Sequence, residues 1–319
     1  MLSRVAERVY WLGRYIERAE NTARLVNVHT HLLLDLPRAT EVAWQALIEI
    51  IGMVETFNER FQHGDERNVV KFLLADQGNP SSMLSSLAMA RENARTAREI
   101  LPSEAWEAIN DLYLYAKDNA ASGIMRSGRH PFLNQTVAFC QQLAGSLAGG
   151  MSHDSAYDFI QLGRNLERAE MTSRIVDVGA SNVLPKLAHT VTDENILWMS
   201  VLNSIGAYHM YRRHVEVRVI NATEVTKFLL QNEQLPRAVL HCLLAVDTCV
   251  KRLPRNEAAL RRLAGAIRHV NEAPVGGLAR EGLHGFIDRL QVDLSELHKA
   301  IMEIWFLPAD ETDTDTQDA

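Results

Sequence analysis

The stretch that decides the fold reads LGRYIERAENTAR and spans residues 12–24. It returns 150 residues later as LGRNLERAEMTSR, over residues 162–174. Between residues 12 and 28, 11 of 17 positions are identical at this offset, whereas composition alone predicts about one. A shared apolar face needs only generic apolar residues, so the identity of the charged residues requires a further reason.

The duplication extends beyond this motif. Further matches follow in the same order, at offsets of 154 to 156: Trp44 and Trp198, Gly52 and Gly206, KFLL at 71–74 and at 227–230, and Pro80 and Pro236. We predict a first helical repeat at 1–152 and a second at 153–307. The acidic tail at 308–319 contains no basic residue and is predicted to be disordered.

The spacing of apolar residues is helical along almost the whole chain, and no alternating strand pattern is convincing. The sequence therefore predicts an all-α fold of about twelve helices, arranged as two pseudo-symmetric six-helix halves of one helical body. Two of these predicted helices, at 39–62 and 192–216, contain the matched residues Gly52 and Gly206. Residues 274–277 are predicted to form a loop.

Charge and composition narrow the class of protein. The net charge is −7, and the acidic tail accounts for most of it, so the body is nearly neutral. A near-neutral body gives no electrostatic reason to expect nucleic acid or an anionic membrane as a partner. We see no signal peptide and no apolar run long enough to span a bilayer, and the three cysteines are typical of reduced thiols. We therefore expect a cytoplasmic protein.

On a helix, the repeated motif separates into an apolar side and a charged side. The identical charged residues are Arg14, Glu17, Arg18, Glu20 and Arg24 in the first copy, and Arg164, Glu167, Arg168, Glu170 and Arg174 in the second. One interpretation is a solvated face whose ion pairs contribute about 0.3–0.5 kcal/mol each. We favour a partly buried network, because no Lys replaces Arg and no Asp replaces Glu between the copies.

A buried network has two possible roles, and the sequence leaves both open. It can lock the halves together, with the Glu-Arg pair of one motif meeting that of the other across a pseudo-twofold axis. It can also line a cleft in which the surplus positive charge of the arginines holds an anionic ligand.

A secondary candidate lies on the fourth predicted helix and has no counterpart in the second repeat. It consists of Arg91, Glu92, Asn93 and Arg95. A single ligand site in a duplicated body would show such asymmetry, and an exposed basic face is the alternative. The sequence contains no His-Glu-x-x-His, Cys-x-x-Cys or Gly-rich phosphate loop. We therefore predict no metal and no cofactor, and we leave open which residues would be catalytic and whether the protein is an enzyme.

The two LGRxxERAExTxR motifs resemble those of the bacterial Alpha-E family, a helical domain with a recurring Glu-Arg motif. KFLL at 71–74, NPSS at 79–82 and SIGAY at 204–208 extend the resemblance over most of the chain. The resemblance implies an all-α cytosolic protein encoded beside a circularly permuted ATP-grasp-like protein and a transglutaminase-like cysteine protease. Such a setting suggests a system that makes, attaches or removes small peptide or amino-acid units.

Three functions are compatible with these observations. The first is an accessory subunit of an ATP-grasp-type amide-ligase system, which binds a partner protein or an acidic or peptidic ligand through the central Arg-Glu network. The second is an enzyme that uses Glu17 or Glu167 as a general base. The third is a structural scaffold in which the network only fixes the register of the helices.

Overall fold

The structure, a computed structural model, describes residues 2–35, 40–179, 191–215, 220–279 and 282–307. Within these ranges the chain forms helices joined by turns, which confirms the predicted all-α fold. No helix in the same ranges is both long and apolar enough to cross a bilayer. The tail at 308–319 lies outside the described residues, and so its disorder stays a prediction.

The described part of the chain contains fifteen helices. They are α1 (Ser3–Asp35), α2 (Thr40–Ile51), α3 (Val54–Arg60), α4 (Glu66–Leu74), α5 (Met83–Thr96), α6 (Ser103–Ile124), α7 (Arg126–Gly150), α8 (Ser155–Val178), α9 (Val191–Ile205), α10 (Tyr208–His214), α11 (Ala222–Gln231), α12 (Val239–Arg252), α13 (Glu257–Asn271), α14 (Val275–Leu278) and α15 (Leu283–Trp305).

Two helices that the sequence predicts as continuous are divided at the matched glycines. Gly52, with φ of +67°, separates α2 from α3, and Gly206, with φ of +71°, separates α9 from α10. Only glycine adopts positive φ readily, so the helix ends where the repeat keeps this residue. The short helix α14 lies in the segment predicted to be a loop. The two divided helices and α14 together account for the difference between the twelve predicted helices and the fifteen described ones.

The motif helices α1 and α8 cross in direct backbone contact. A Cβ atom at Gly13 would collide with the backbone oxygen of Ile160, and one at Gly163 would collide with that of Tyr10. Ile160 stands at the position of Tyr10 in the second repeat, so the two contacts are equivalent. The glycines of the motif therefore allow a crossing closer than any side chain permits.

Around this crossing, each motif helix packs against helices of both repeats. Helix α1 contacts α5 and α7, and also α9 from the second repeat; α8 contacts α12 and α15, and also α2 from the first. The matched tryptophans of α2 and α9, Trp44 and Trp198, are both buried in the core. The charged faces of α1 and α8 are consequently enclosed between the repeats.

The glycine turns also receive an arginine from the opposite repeat. The guanidinium of Arg174 lies beside Gly52, and the guanidinium of Arg24 lies 3.2 Å from the position that a Cβ of Gly206 would take. The last charged residue of each motif is therefore placed at the break in the second helix of the other repeat.

The Gly13→Ala variant tests the crossing. Its Cβ would meet the backbone of α8, which cannot move aside as a side chain can. We expect the free energy of unfolding to fall by about 1–3 kcal/mol, the usual cost of overpacking, as measured by urea denaturation.

The matched control is Gly145→Ala in α7, where a Cβ would meet nothing within 4 Å. Because Ala favours helix over Gly by about 1 kcal/mol, this variant should be as stable as the natural protein or more so. Equal stability of the two variants would contradict the close crossing.

Candidate functional site

Glu17 of α1 is held by three arginines of the second repeat. Its carboxylate accepts hydrogen bonds from Arg164 Nε (3.2 Å), from Arg168 Nε (2.9 Å) and Nη2 (2.6 Å), and from Arg237 Nη1 (3.0 Å). The Glu17 side chain is only 1% exposed. Burial of a carboxylate is tolerated here because several guanidinium groups surround it.

Glu167 of α8 is held in the same way by arginines of the first repeat. Its carboxylate accepts hydrogen bonds from Arg14 Nε (2.6 Å) and from Arg18 Nε (2.6 Å) and Nη2 (2.9 Å). Arg14 also donates from Nη2 to Glu170 Oε2 (2.7 Å). Glu17 and Glu167 are thus each bound by arginines of the other motif, which is the exchange that a lock between the repeats requires.

The outer positions of the network differ between the repeats. Glu20 accepts hydrogen bonds from Arg24 Nε (2.9 Å) and from Arg237 Nη2 (2.6 Å). At the matched place in the second repeat, Arg174 donates from Nε to Gln291 Oε1 (3.0 Å). The structure therefore places all ten predicted residues in or beside one cluster, and their functional role stays a prediction.

The two central glutamates are ionised. Burial alone would raise the pKa of Glu17, but Arg168, Arg237 and Arg164 hold this pKa well below its usual value. Likewise, burial opposes ionisation of Glu167, and the nearby guanidinium groups of Arg14 and Arg18 lower its pKa overall. A general base that works near neutral pH needs a carboxylate with a raised pKa, so this geometry does not favour the use of either glutamate as a base.

A buried polar chain extends the network toward α15. Arg14 Nη1 donates to the Tyr10 hydroxyl (3.1 Å), which lies 2.7 Å from His298 Nδ1. Burial raises the pKa of Tyr10 to about 12. Burial and the charge of Arg14 lower the pKa of His298 to about 4. At neutral pH both side chains are therefore uncharged, and they anchor Arg14 without adding charge.

The secondary candidates lie apart from this network. Arg91 donates from Nε to Asn110 Oδ1 (2.8 Å) on α6 and lies over the ring of Trp106. Arg95 and Glu92 form an exposed ion pair on α5, with Nη2 2.7 Å from Oε1. Among the hydrogen bonds of the described residues, none links Arg91, Glu92, Asn93 or Arg95 to the motif glutamates.

One group of potential metal ligands occurs in the part of the chain that the structure describes: Asp177, His284 and Asp288. The two ring nitrogens of His284 face different carboxylates, since Nδ1 lies 2.9 Å from Asp177 and Nε2 lies 3.4 Å from Asp288. The hydrogen bond to Asp177 raises the pKa of His284. The two neighbouring carboxylates therefore favour the protonated form of the His284 ring.

A cavity of about 270 Å³ opens on one side of the network. Its charged lining consists of Arg18, Glu167, Glu170 and Arg174. Two residues here were not predicted from the sequence: Ser81, which borders the cavity, and Arg237, which fills the matched space on the other side. Ser81 directly follows Pro80, and Arg237 directly follows the matched Pro236. The sequence therefore shows that serine and arginine differ at this matched position.

The Glu17→Gln variant tests the network. Removing this charge leaves buried guanidinium groups uncompensated, which typically costs about 3–5 kcal/mol of unfolding free energy. The contribution of Glu17 is present above its ordinary pKa of 4.5 and is lost as the pH falls below that value, because its pKa is lower in the folded chain. Urea denaturation should therefore show a large difference between E17Q and the natural protein at neutral pH, and a smaller one below pH 4.5.

Glu92→Gln is the control, because it removes an equally short ion pair from an exposed helix face. We expect it to leave stability nearly unchanged at every pH. A Glu17→Gln variant as stable as Glu92→Gln would show that the network does not hold the repeats together.

Comparison with known proteins finds relatives among mycobacteria. An uncharacterized protein of Mycobacterium bovis and one of Mycobacterium tuberculosis H37Rv are each 22% identical to this chain over 330 aligned residues. The alignments cover 94% of this chain but only 36% of each relative. No solved structure matches.

A family model matches residues 1–306, and its description is a predicted alpha-helical domain with a conserved ER motif. The match includes both copies of the Glu-Arg motif that form the buried network. The chain therefore belongs to the Alpha-E family.

Proposed function

We propose that this protein is a non-catalytic helical subunit of an ATP-grasp-type amide-ligase or peptide-modification system. In this role the interlocked Arg-Glu network is a rigid frame, and the cavity beside it binds an acidic or peptidic ligand or a segment of a partner protein. The observation that carries the proposal is the asymmetry of the network, which is closed by Arg237 on one side and opens into a cavity at Ser81 on the other.

The state of the central glutamates supports a binding role over catalysis. Glu17 and Glu167 are saturated with guanidinium donors and keep their charge. Such groups hold a site in shape, since proton transfer to them would leave several buried arginines uncompensated. In contrast, Arg174 lies on the cavity wall with only a neutral amide as its hydrogen-bond partner in the described structure.

The length of the relatives supports a role in which this domain works together with other domains or proteins. The chain spans 36% of the length of the mycobacterial relatives that it matches. A domain of this kind is therefore found within longer chains. The family resemblance suggests which partners to test: a circularly permuted ATP-grasp-like protein and a transglutaminase-like protease.

Reconstitution with an ATP-grasp-like protein of the kind that the family resemblance implies tests the proposal. We expect the two proteins to co-purify, and ATP-dependent amide formation to require both, measured as product yield with each component omitted in turn. Loss of one charge-assisted hydrogen bond in Arg174→Gln should reduce the yield by about tenfold or more, while the circular dichroism spectrum stays helical.

The control variant is Arg262→Gln, which changes an exposed arginine of α13 that does not line the cavity. It should leave complex formation and yield unchanged. The proposal fails if the ATP-grasp-like protein neither binds this chain nor needs it for amide formation.

A further inference from the structure

The two sides of the network differ at one pair of matched residues. On the closed side, Arg237 donates from Nη1 to Asn21 Oδ1 (2.8 Å) as well as to Glu17, and from Nη2 to Glu20. Ser81 occupies the matched position after Pro80, and its side chain is too short to reach across. The cavity lies beside Ser81, where the closed side of the network contains the Arg237 guanidinium.

Two hydrogen-bond donors that are satisfied on the closed side lack an acceptor on the open side. Thr172 Oγ1 donates to the backbone oxygen of Arg237 (3.0 Å), and Arg168 Nη1 donates to that of Pro236 (3.2 Å). The matched hydroxyl, that of Thr22, lines the cavity, is 1% exposed as a residue, and has no partner within the described structure. Arg18 uses Nε and Nη2 for Glu167, and no described hydrogen bond involves its Nη1.

The charge of the network that borders the cavity is not balanced. The network contains seven arginines (14, 18, 24, 164, 168, 174 and 237) and four glutamates (17, 20, 167 and 170). Arg24 is paired with Glu20, whereas Arg174 has no carboxylate partner among the described ion pairs. Its matched acid, Glu170, is bonded to Arg14 instead. A cationic ligand would add to the surplus, so the cavity is suited to an anion.

The other residues that line the cavity indicate which groups a bound anion would carry besides its charge. Ile51, Met53 and Met171 contribute apolar side chains to the cavity lining. Glu170 also borders the cavity, where its side chain is 20% exposed and one oxygen is free of the hydrogen bond to Arg14. A carboxylate oxygen without this bond can accept a hydrogen bond from an amine of the ligand.

We propose that the cavity binds a carboxylate of the amino-acid type, either free or at the C-terminus of a peptide. The carboxylate oxygens accept hydrogen bonds from Thr22 Oγ1, Arg18 Nη1 and the guanidinium of Arg174, while the small side chain lies against the methionines. This inference rests on the proposed function for its meaning in the cell, since it names the ligand class of the same site, but its chemistry depends only on the cavity.

Calorimetric titration of the full chain with four probes at millimolar concentration tests the inference. The probes are alanine, alanyl-alanine, alanyl-alanine amide and inorganic phosphate. We expect alanine or alanyl-alanine to bind, with the stronger of the two identifying the source of the carboxylate, and the amide to bind at least about tenfold more weakly, because it lacks the anionic oxygen. Equal binding of the amide, binding of phosphate alone, or no binding of either carboxylate would overturn the inference.

Two variants place the binding in the cavity. Ser81→Arg copies the closed side of the network and should abolish binding by occupying the space with the protein's own guanidinium. Arg174→Gln, which keeps a polar side chain without its charge, should weaken binding by about tenfold or more. The control Arg262→Gln, at an exposed position outside the cavity lining, should bind as the natural protein does. If Ser81→Arg does not fold, unchanged binding in Arg174→Gln still refutes the assignment.

The outcome is separable from that of the proposed function. Binding of alanyl-alanine without any association with the ATP-grasp-like protein would retain the carboxylate site and reject the accessory role. A stable, active complex whose Alpha-E subunit binds none of the carboxylate probes would retain the accessory role and reject the carboxylate site.

Discussion

The close crossing of α1 and α8 is the constraint on which the rest of the structure depends. Gly13 and Gly163 bring the two backbones into contact, and this distance sets which side chains can reach across. Glu17 then lies within hydrogen-bond distance of Arg164 and Arg168, and Glu167 within that of Arg14 and Arg18. A larger separation would leave the same charges buried without their partners, which is among the most costly arrangements in a protein interior.

The exchange of partners between the repeats also accounts for the presence of the same charged residues in both copies of the motif. A buried carboxylate needs several good hydrogen bonds to offset its loss of water, and a planar guanidinium supplies two at once. Lysine offers a single point of charge and aspartate a shorter reach, so neither replaces its counterpart without loss. The network therefore specifies one register of the two helices, while the apolar contacts around it tolerate many.

Much of this arrangement was predictable from the sequence, because a helix face surrounded by water would accept lysine for arginine and aspartate for glutamate, and neither exchange occurs. The burial of the two ionic faces follows from that pattern, and the all-α class follows from the helical spacing of the apolar residues. The breaks at Gly52 and Gly206 were missed, since an isolated glycine in a helical pattern does not reveal its φ angle. Arg237 was missed for a different reason: it lies 63 residues beyond the second motif, and only the folded chain shows that its loop turns toward Glu17.

The substitution of serine for arginine between the two loops has a consequence for how the protein evolved. In a dimer of identical chains, both loops would carry the same residue, so the assembly would have two open sites or none. Joining the copies in a single polypeptide removes that symmetry, and one half is free to stay sealed while the other diverges. A single chain with two repeats can therefore keep one side of the network sealed by Arg237 and leave the other side open at Ser81.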